Sequence, residues 1–115
     1  MGPIILSGYE TATNADILQG TRLQTVPAGG VLTFELQSKE ASGANFNVVS
    51  IQMPNGDTPL NNVRVPGCNP ALDGVIDERQ NLTVSFPIMQ GGHCVFSVTE
   101  TGVNSMSWRV TYTPA

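Results

Sequence analysis

Apolar and polar residues alternate with a period of two along most of this 115-residue chain, and that alternation limits the fold more than any other feature. Leu32, Phe34 and Leu36 fall on one side of a strand, with Thr33, Glu35 and Gln37 on the other. Val49, Ile51 and Met53 alternate with Ser50 and Gln52. Leu82, Val84, Phe86 and Ile88 alternate with Thr83 and Ser85. Met106, Trp108, Val110 and Tyr112 alternate with Ser107, Arg109 and Thr111. Successive side chains of a strand point to opposite faces, so this pattern marks half-buried strands with one face on a core. The spacing predicts strands over 31–37, 49–53, 82–88, 94–99 and 106–112, with weaker ones within 18–26 and 63–65.

Turn chemistry separates these runs. Pro27-Ala28-Gly29-Gly30 precedes the first strong strand, and Asn55-Gly56 lies inside 54–59. An Asn-Gly pair readily adopts the positive φ angles of tight turns. Gln90-Gly91-Gly92-His93 reads as a hairpin between Ile88 and Cys94, so that 82–88, 94–99 and 106–112 form an up-and-down meander. Eight prolines and twelve glycines oppose helices, and the segment 13–19 has room for one helical turn at most. The fold class expected is all-β: an antiparallel β-sandwich, jelly-roll-like, with seven or eight strands. A mass of 12.2 kDa suits a single sandwich domain over 16–115, with 1–15 as a candidate extended arm. Ile4 to Leu6 reads equally well as the domain's own first strand.

Reactive groups are few. His93 is the one histidine, which excludes histidine clusters for metal binding or paired acid–base work. It sits in a Gly-Gly turn, where a solvated residue or a partner contact is expected. Asp73, Asp77 and Glu78 gather near one another, but Val75 and Ile76 interrupt the oxygen donors a calcium loop needs. An acidic surface loop is expected there, with Glu78 and Arg79 in exposed ion pairs, and no metal or cofactor. Cys68 and Cys94 are expected as thiols rather than a disulfide. Asn81-Leu82-Thr83 fits the glycosylation pattern, which has no meaning without secretion. No enzyme is expected.

Five lysines and arginines are scattered in a chain of net charge −4, which argues against nucleic acid. No stretch is long and apolar enough to span a bilayer as a helix. The N-terminus lacks a basic region and a signal-peptide core, so synthesis in a cytoplasm is expected. Outward positions are mostly Thr, Ser, Asn and Gln, with Lys39 the single lysine. Lysine depletion is a property of protein interfaces. The candidate partner contacts are the apolar terminus Pro3, Ile4, Ile5 and Leu6, then Tyr9, and Asn55 and Asp57 in the Asn-Gly turn. Contacts are expected from residues 3–9 and the loops 54–62 and 66–74.

Residues 22–34, from Arg22 through Pro27-Ala28-Gly29-Gly30 to Phe34, and residues 90–97, from Gln90 to Ser97, resemble the small all-β decoration, or cement, proteins of tailed double-stranded DNA bacteriophages. The resemblance extends to size, strand density and polar surface. It implies a structural virion protein on the outer capsid surface, made in the host cytoplasm, a dimer or trimer that bridges major capsid protein subunits. The alternative is a carbohydrate- or ligand-binding β-sandwich module of a viral fibre, with Tyr9, Phe46 or Tyr112 on its binding surface. Phe34, Phe86, Phe96 and Trp108 are in phase with apolar neighbours and are expected in the core.

Overall fold

The computed structural model describes residues 2–39, 45–68, 72–78, 80–102 and 104–115. These form nine strands and no helix: β1 (Ile4–Glu10), β2 (Thr25–Val26), β3 (Val31–Ser38), β4 (Phe46–Gln52), β5 (Leu60–Arg64), β6 (Leu82–Pro87), β7 (Gly92–His93), β8 (Val95–Thr101) and β9 (Met106–Thr113). All pairing between these nine strands is antiparallel. One sheet has the order β1-β9-β3-β6, a second β5-β4-β8, and β2 pairs with β7. The architecture is the expected antiparallel sandwich.

The alternation decides which side chains meet between the sheets. Registered rows cross the four-stranded sheet on its inner face: Ile4, Tyr112, Leu32 and Phe86, then Leu6, Val110, Phe34 and Val84. Val49, Ile51, Phe96 and Val98 face them from the other sheet, and all join one apolar core. Phe96 bridges the two layers, edge-on to Phe34 at 5.3 Å and to Trp108 at 6.1 Å. Edge-to-face geometry of this kind adds to the stabilisation from burial. Tyr112, free to be a surface ring by sequence, is 3% exposed and belongs to this core. The Trp108 ring lies across β1 at Gly8, where a Cβ would come within 2.5 Å of Cζ2. Only glycine leaves room there, and Trp108 Nε1 reaches on to donate to Glu10 Oε2 at 3.1 Å.

Three expectations need correction. Residues 82–88, 94–99 and 106–112 are not a meander: β6 pairs with β3, β8 with β4, and β9 with β1 and β3. The chain crosses the sandwich at each connection, which buries both inner faces in one core. Gln90–His93 is therefore not a hairpin. Its end, β7, pairs with β2 instead, Thr25 opposite His93 and Val26 opposite Gly92. Lastly, residues 4–10 are not a detached arm. They pair with all of 106–112 inside the domain, because Ile4 and Leu6 extend the inner apolar face. The following residues run along β8, with Asn14 and Val98 exchanging two backbone hydrogen bonds of 2.9 Å. Of the weak strand predicted in 18–26, only Thr25–Val26 forms.

Candidate functional site

The outer face of the four-stranded sheet divides into two halves. In one, Tyr9, Ser107 and Gln37 lie in a row across β1, β9 and β3, and a strap formed by residues 72–78 and 80–81 covers them. Gln37 Nε2 donates to the carbonyls of Asp77 and Gln80, and Gln37 Oε1 accepts from Asp77 N–H at 3.1 Å. Ser107 Oγ accepts from Gly74 N–H at 2.8 Å and donates to Leu72 O at 3.2 Å. The Tyr9 hydroxyl and Ser105 Oγ are 2.6 Å apart. The expected acidic loop is thus a strap held by polar contacts. Lys39 Nζ meets Asp73 Oδ1 at 3.1 Å, and Arg109 reaches Glu78 at 3.6 Å. The Asp73 carboxyl is held below its ordinary range by the Lys39 ammonium and the Tyr9 hydroxyl. The expected ion pair of Glu78 with Arg79, and residues 69–71 of the 66–74 loop, lie outside the described residues.

The other half is open. Its central row is Ile5, Thr111, Thr33 and Ser85, one residue from each strand. Thr33 and Ser85 hydroxyls are 2.9 Å apart. The next row, Ser7, Arg109, Glu35 and Thr83, holds a charge pair that bonds through two nitrogens, Arg109 Nε and Nη2 on the Glu35 carboxylate. The open half is therefore close to neutral and rich in short hydroxyl side chains.

A pocket of about 130 Å³ opens at the far edge of this half, where the end of β6 meets the β4–β5 turn. Met53, Pro59, Phe86, Pro87 and Met89 line it, with Asn55 and Asp57 at its polar side. Gly56 N–H donates to Met53 O at 2.9 Å, and Met53 N–H donates to Asp57 O at 2.7 Å. Asn55 Oδ1 accepts from Asp57 N–H at 3.1 Å, while its amide donates to Asp57 Oδ2. Gly56 alone takes a positive φ, 94°. The turn is thus locked by its own polar groups, and Met89 stands 74% exposed beside it. Ligand pockets for small molecules measure about 300–1,000 Å³, so this one matches a single side chain instead.

The residues named from sequence as partner contacts separate by position. Pro3 is exposed and Ile5 is 62% exposed at the edge of the open half. Ile4 is a correction: it is in the core, and Leu6 packs against the core, because both point inward in β1. Tyr9 is half-buried under the strap at the opposite end of β1. Asn55 and Asp57 are exposed in the turn at the pocket. Ile5 and the pocket share one end of the sheet, on opposite edges. Sequence reasoning missed Phe86, Pro87 and Met89 as lining. Met89 follows the buried Ile88 at a turn, and an apolar residue out of phase there was the available signal.

His93 keeps an exposed side chain, as expected of a turn residue, and its ring is also held by two partners. Its Nδ1 lies 2.7 Å from Gln24 O and its Nε2 2.9 Å from Asp16 Oδ2. Both partners are acceptors, so the imidazolium, with two N–H donors, satisfies them together, whereas the neutral ring satisfies one. The Gln24 carbonyl and the Asp16 carboxylate accordingly raise the His93 pKa. The clip ties the 14–26 segment to β7. Cys94 is adjacent in sequence, yet fully buried, and burial, with the Asp16 charge, pushes its thiol up to about 12. Burial in apolar surroundings thus favours the neutral thiol. Cys68 and Cys94 are both buried thiols and are not joined as a disulfide.

The three rings considered for a sugar platform are spread apart: Tyr112 in the core, Tyr9 under the strap, and Phe46 beneath the Arg64 guanidinium at 4.3 Å. Among the described residues, no group of three or more His, Cys, Asp or Glu side chains is placed to hold a metal ion. No helix among them is long and apolar enough to cross a membrane. Comparison with family models, curated proteins and solved structures finds no match to this chain.

Proposed function

We propose that this protein is a structural virion subunit that decorates a bacteriophage capsid and stabilises it by bridging major capsid subunits. The observation that carries the reading is the open half of the four-stranded sheet: a neutral hydroxyl surface bounded by exposed Ile5 on one edge and by the Met89 pocket on the other. Such a surface suits contact with another protein over an area, and the pocket has the volume of one inserted side chain. A weak contact of this kind becomes firm when symmetry repeats it around a shell.

The strand order supports the reading by analogy. We read β7 and β8 as one strand broken at Cys94. On that reading β1-β9-β3-β6 faces β2-β7/β8-β4-β5, the order of a jelly roll, which capsid and lectin domains share. Fold alone does not choose between those uses. The dispersal of Tyr9, Phe46 and Tyr112 favours the capsid over the carbohydrate.

The test is co-sedimentation of the purified protein with shells of tailed double-stranded DNA phages. Saturable binding, with shells that resist heat better when occupied, is the expected result. Protein that stays in the supernatant with every shell, and binds a glycan array, would replace this reading with the carbohydrate one.

A further inference from the structure

The two larger sheets have four edge strands, β1, β6, β5 and β8, and β1 differs from the rest. β5 is irregular: its register against β4 shifts between Val49 and Ile51, and Asn62 adopts a φ of 53°. The edge of β8 is occupied by residues 13–17, through Asn14, through Ile17 N–H on Phe96 O at 2.7 Å, and through Thr13 Oγ1 on Glu100 N–H. β6 ends in Pro87 and turns only Thr83 and Ser85 outward along its middle. β1 pairs residue for residue with β9 over seven positions, without bulge or proline, and has no charge from Ile4 to Tyr9. Natural proteins usually blunt such an edge, because its unpaired N–H and C=O groups accept another strand.

We propose that β1 pairs antiparallel with β1 of a second copy, about a two-fold axis through Ser7. Residues opposite each other in an antiparallel pair share a face, so a symmetric pairing joins positions that differ by an even number. Centring on Ser7 pairs all seven residues of Ile4–Glu10, whereas centring on Leu6 or Gly8 pairs only five. Ile5 of one copy then faces Tyr9 of the other on the outer side. Tyr9 lies against Gly74, in the segment that exposes Leu72 and Val75. The apolar residues at the two ends of β1 thereby exchange cover. Glu10 is held by Trp108 Nε1 and Asn14 Nδ2, and the two Glu10 residues stand about 20 Å apart, too far to repel strongly.

Seven residues span about 23 Å, and a sheet edge about 10 Å thick then covers roughly 230 Å² on each copy. The total over both copies, roughly 460 Å², is well below the roughly 1,000 Å² total of a stable interface, so the pair is weak and concentration-dependent. The proposal does not depend on the capsid, and its test uses the full chain alone. Ser7→Cys places two thiols across the axis within disulfide reach, whereas Ile5→Cys places them about 13 Å apart along the strands. With Cys68 and Cys94 buried, mild oxidation is expected to dimerise Ser7→Cys roughly tenfold faster than Ile5→Cys. Equal rates, or faster coupling of Ile5→Cys, would overturn the pairing. In sedimentation at high concentration, Ile5→Lys is expected to be monomeric with an unchanged melting temperature, and a persisting wild-type-like dimer would also overturn it. Capsid binding by a protein that fails both tests would leave the proposed function standing.

Discussion

The two halves of the outer sheet face have nearly the same sequence character and opposite fates. Thr33 and Gln37 occupy equivalent outward positions on β3, four residues apart. Gln37 is 1% exposed because the strap lies on it, whereas Thr33 sits on the open half, its hydroxyl 2.9 Å from that of Ser85. Polar alternation tells which way a side chain points. It does not tell whether water or protein meets it there. Burial of Gln37 is tolerable because each of its polar atoms finds a backbone partner in the strap.

Substitutions can break or sharpen that contrast. The largest effect should come from the core beneath both halves: Trp108→Ala is expected to cost about 3–5 kcal/mol in denaturant unfolding. A loss under about 1 kcal/mol would mean the inner face is misassigned. On the covered half, Gln37→Ala removes three hydrogen bonds to the strap and should cost about 2–3 kcal/mol. Amide exchange at Asp77 should quicken with it, and a strap that keeps its protection would show that other contacts hold it.

The His93 clip predicts a pH dependence of known sign. The His93 pKa is raised in the folded protein, so its contribution is complete below the unfolded value of about 6.5 and is lost as pH rises through the folded value. The melting temperature should therefore fall on going from pH 6 to pH 9, by more in the wild type than in His93→Gln. Identical pH profiles would remove the charged clip. On the open half, Thr33→Ala should change stability by less than about 0.5 kcal/mol, and a larger loss would mean that this half carries structural load.

Much of the fold is legible in the sequence for one reason: period two assigns faces. Leu32, Phe34, Leu36, Phe96, Trp108 and Val110 all point where the alternation puts them. Period two does not assign neighbours, since β6, β8 and β9 would show the same pattern in a meander as they do across two sheets. The Gly91-Gly92 turn has hairpin chemistry and still carries the chain across the sandwich, because the apolar faces of β6 and β8 must meet rather than lie side by side. Ile4 and Leu6 read as arm or strand until β9 is known to lie alongside. The candidate site was half legible: Asn55 and Asp57 stood out by turn chemistry, and Ile5 by its place. Phe86, Pro87 and Met89 come from thirty residues further on, and only the tertiary fold brings them to that turn.

The most direct test of a contact role for the open half is Thr33→Arg, compared with wild type for sedimentation with phage shells. The account predicts that the wild type binds, and that the arginine, placed mid-face, abolishes binding while the melting temperature stays within the wild-type range. Shell binding by Thr33→Arg that equals the wild type would contradict it.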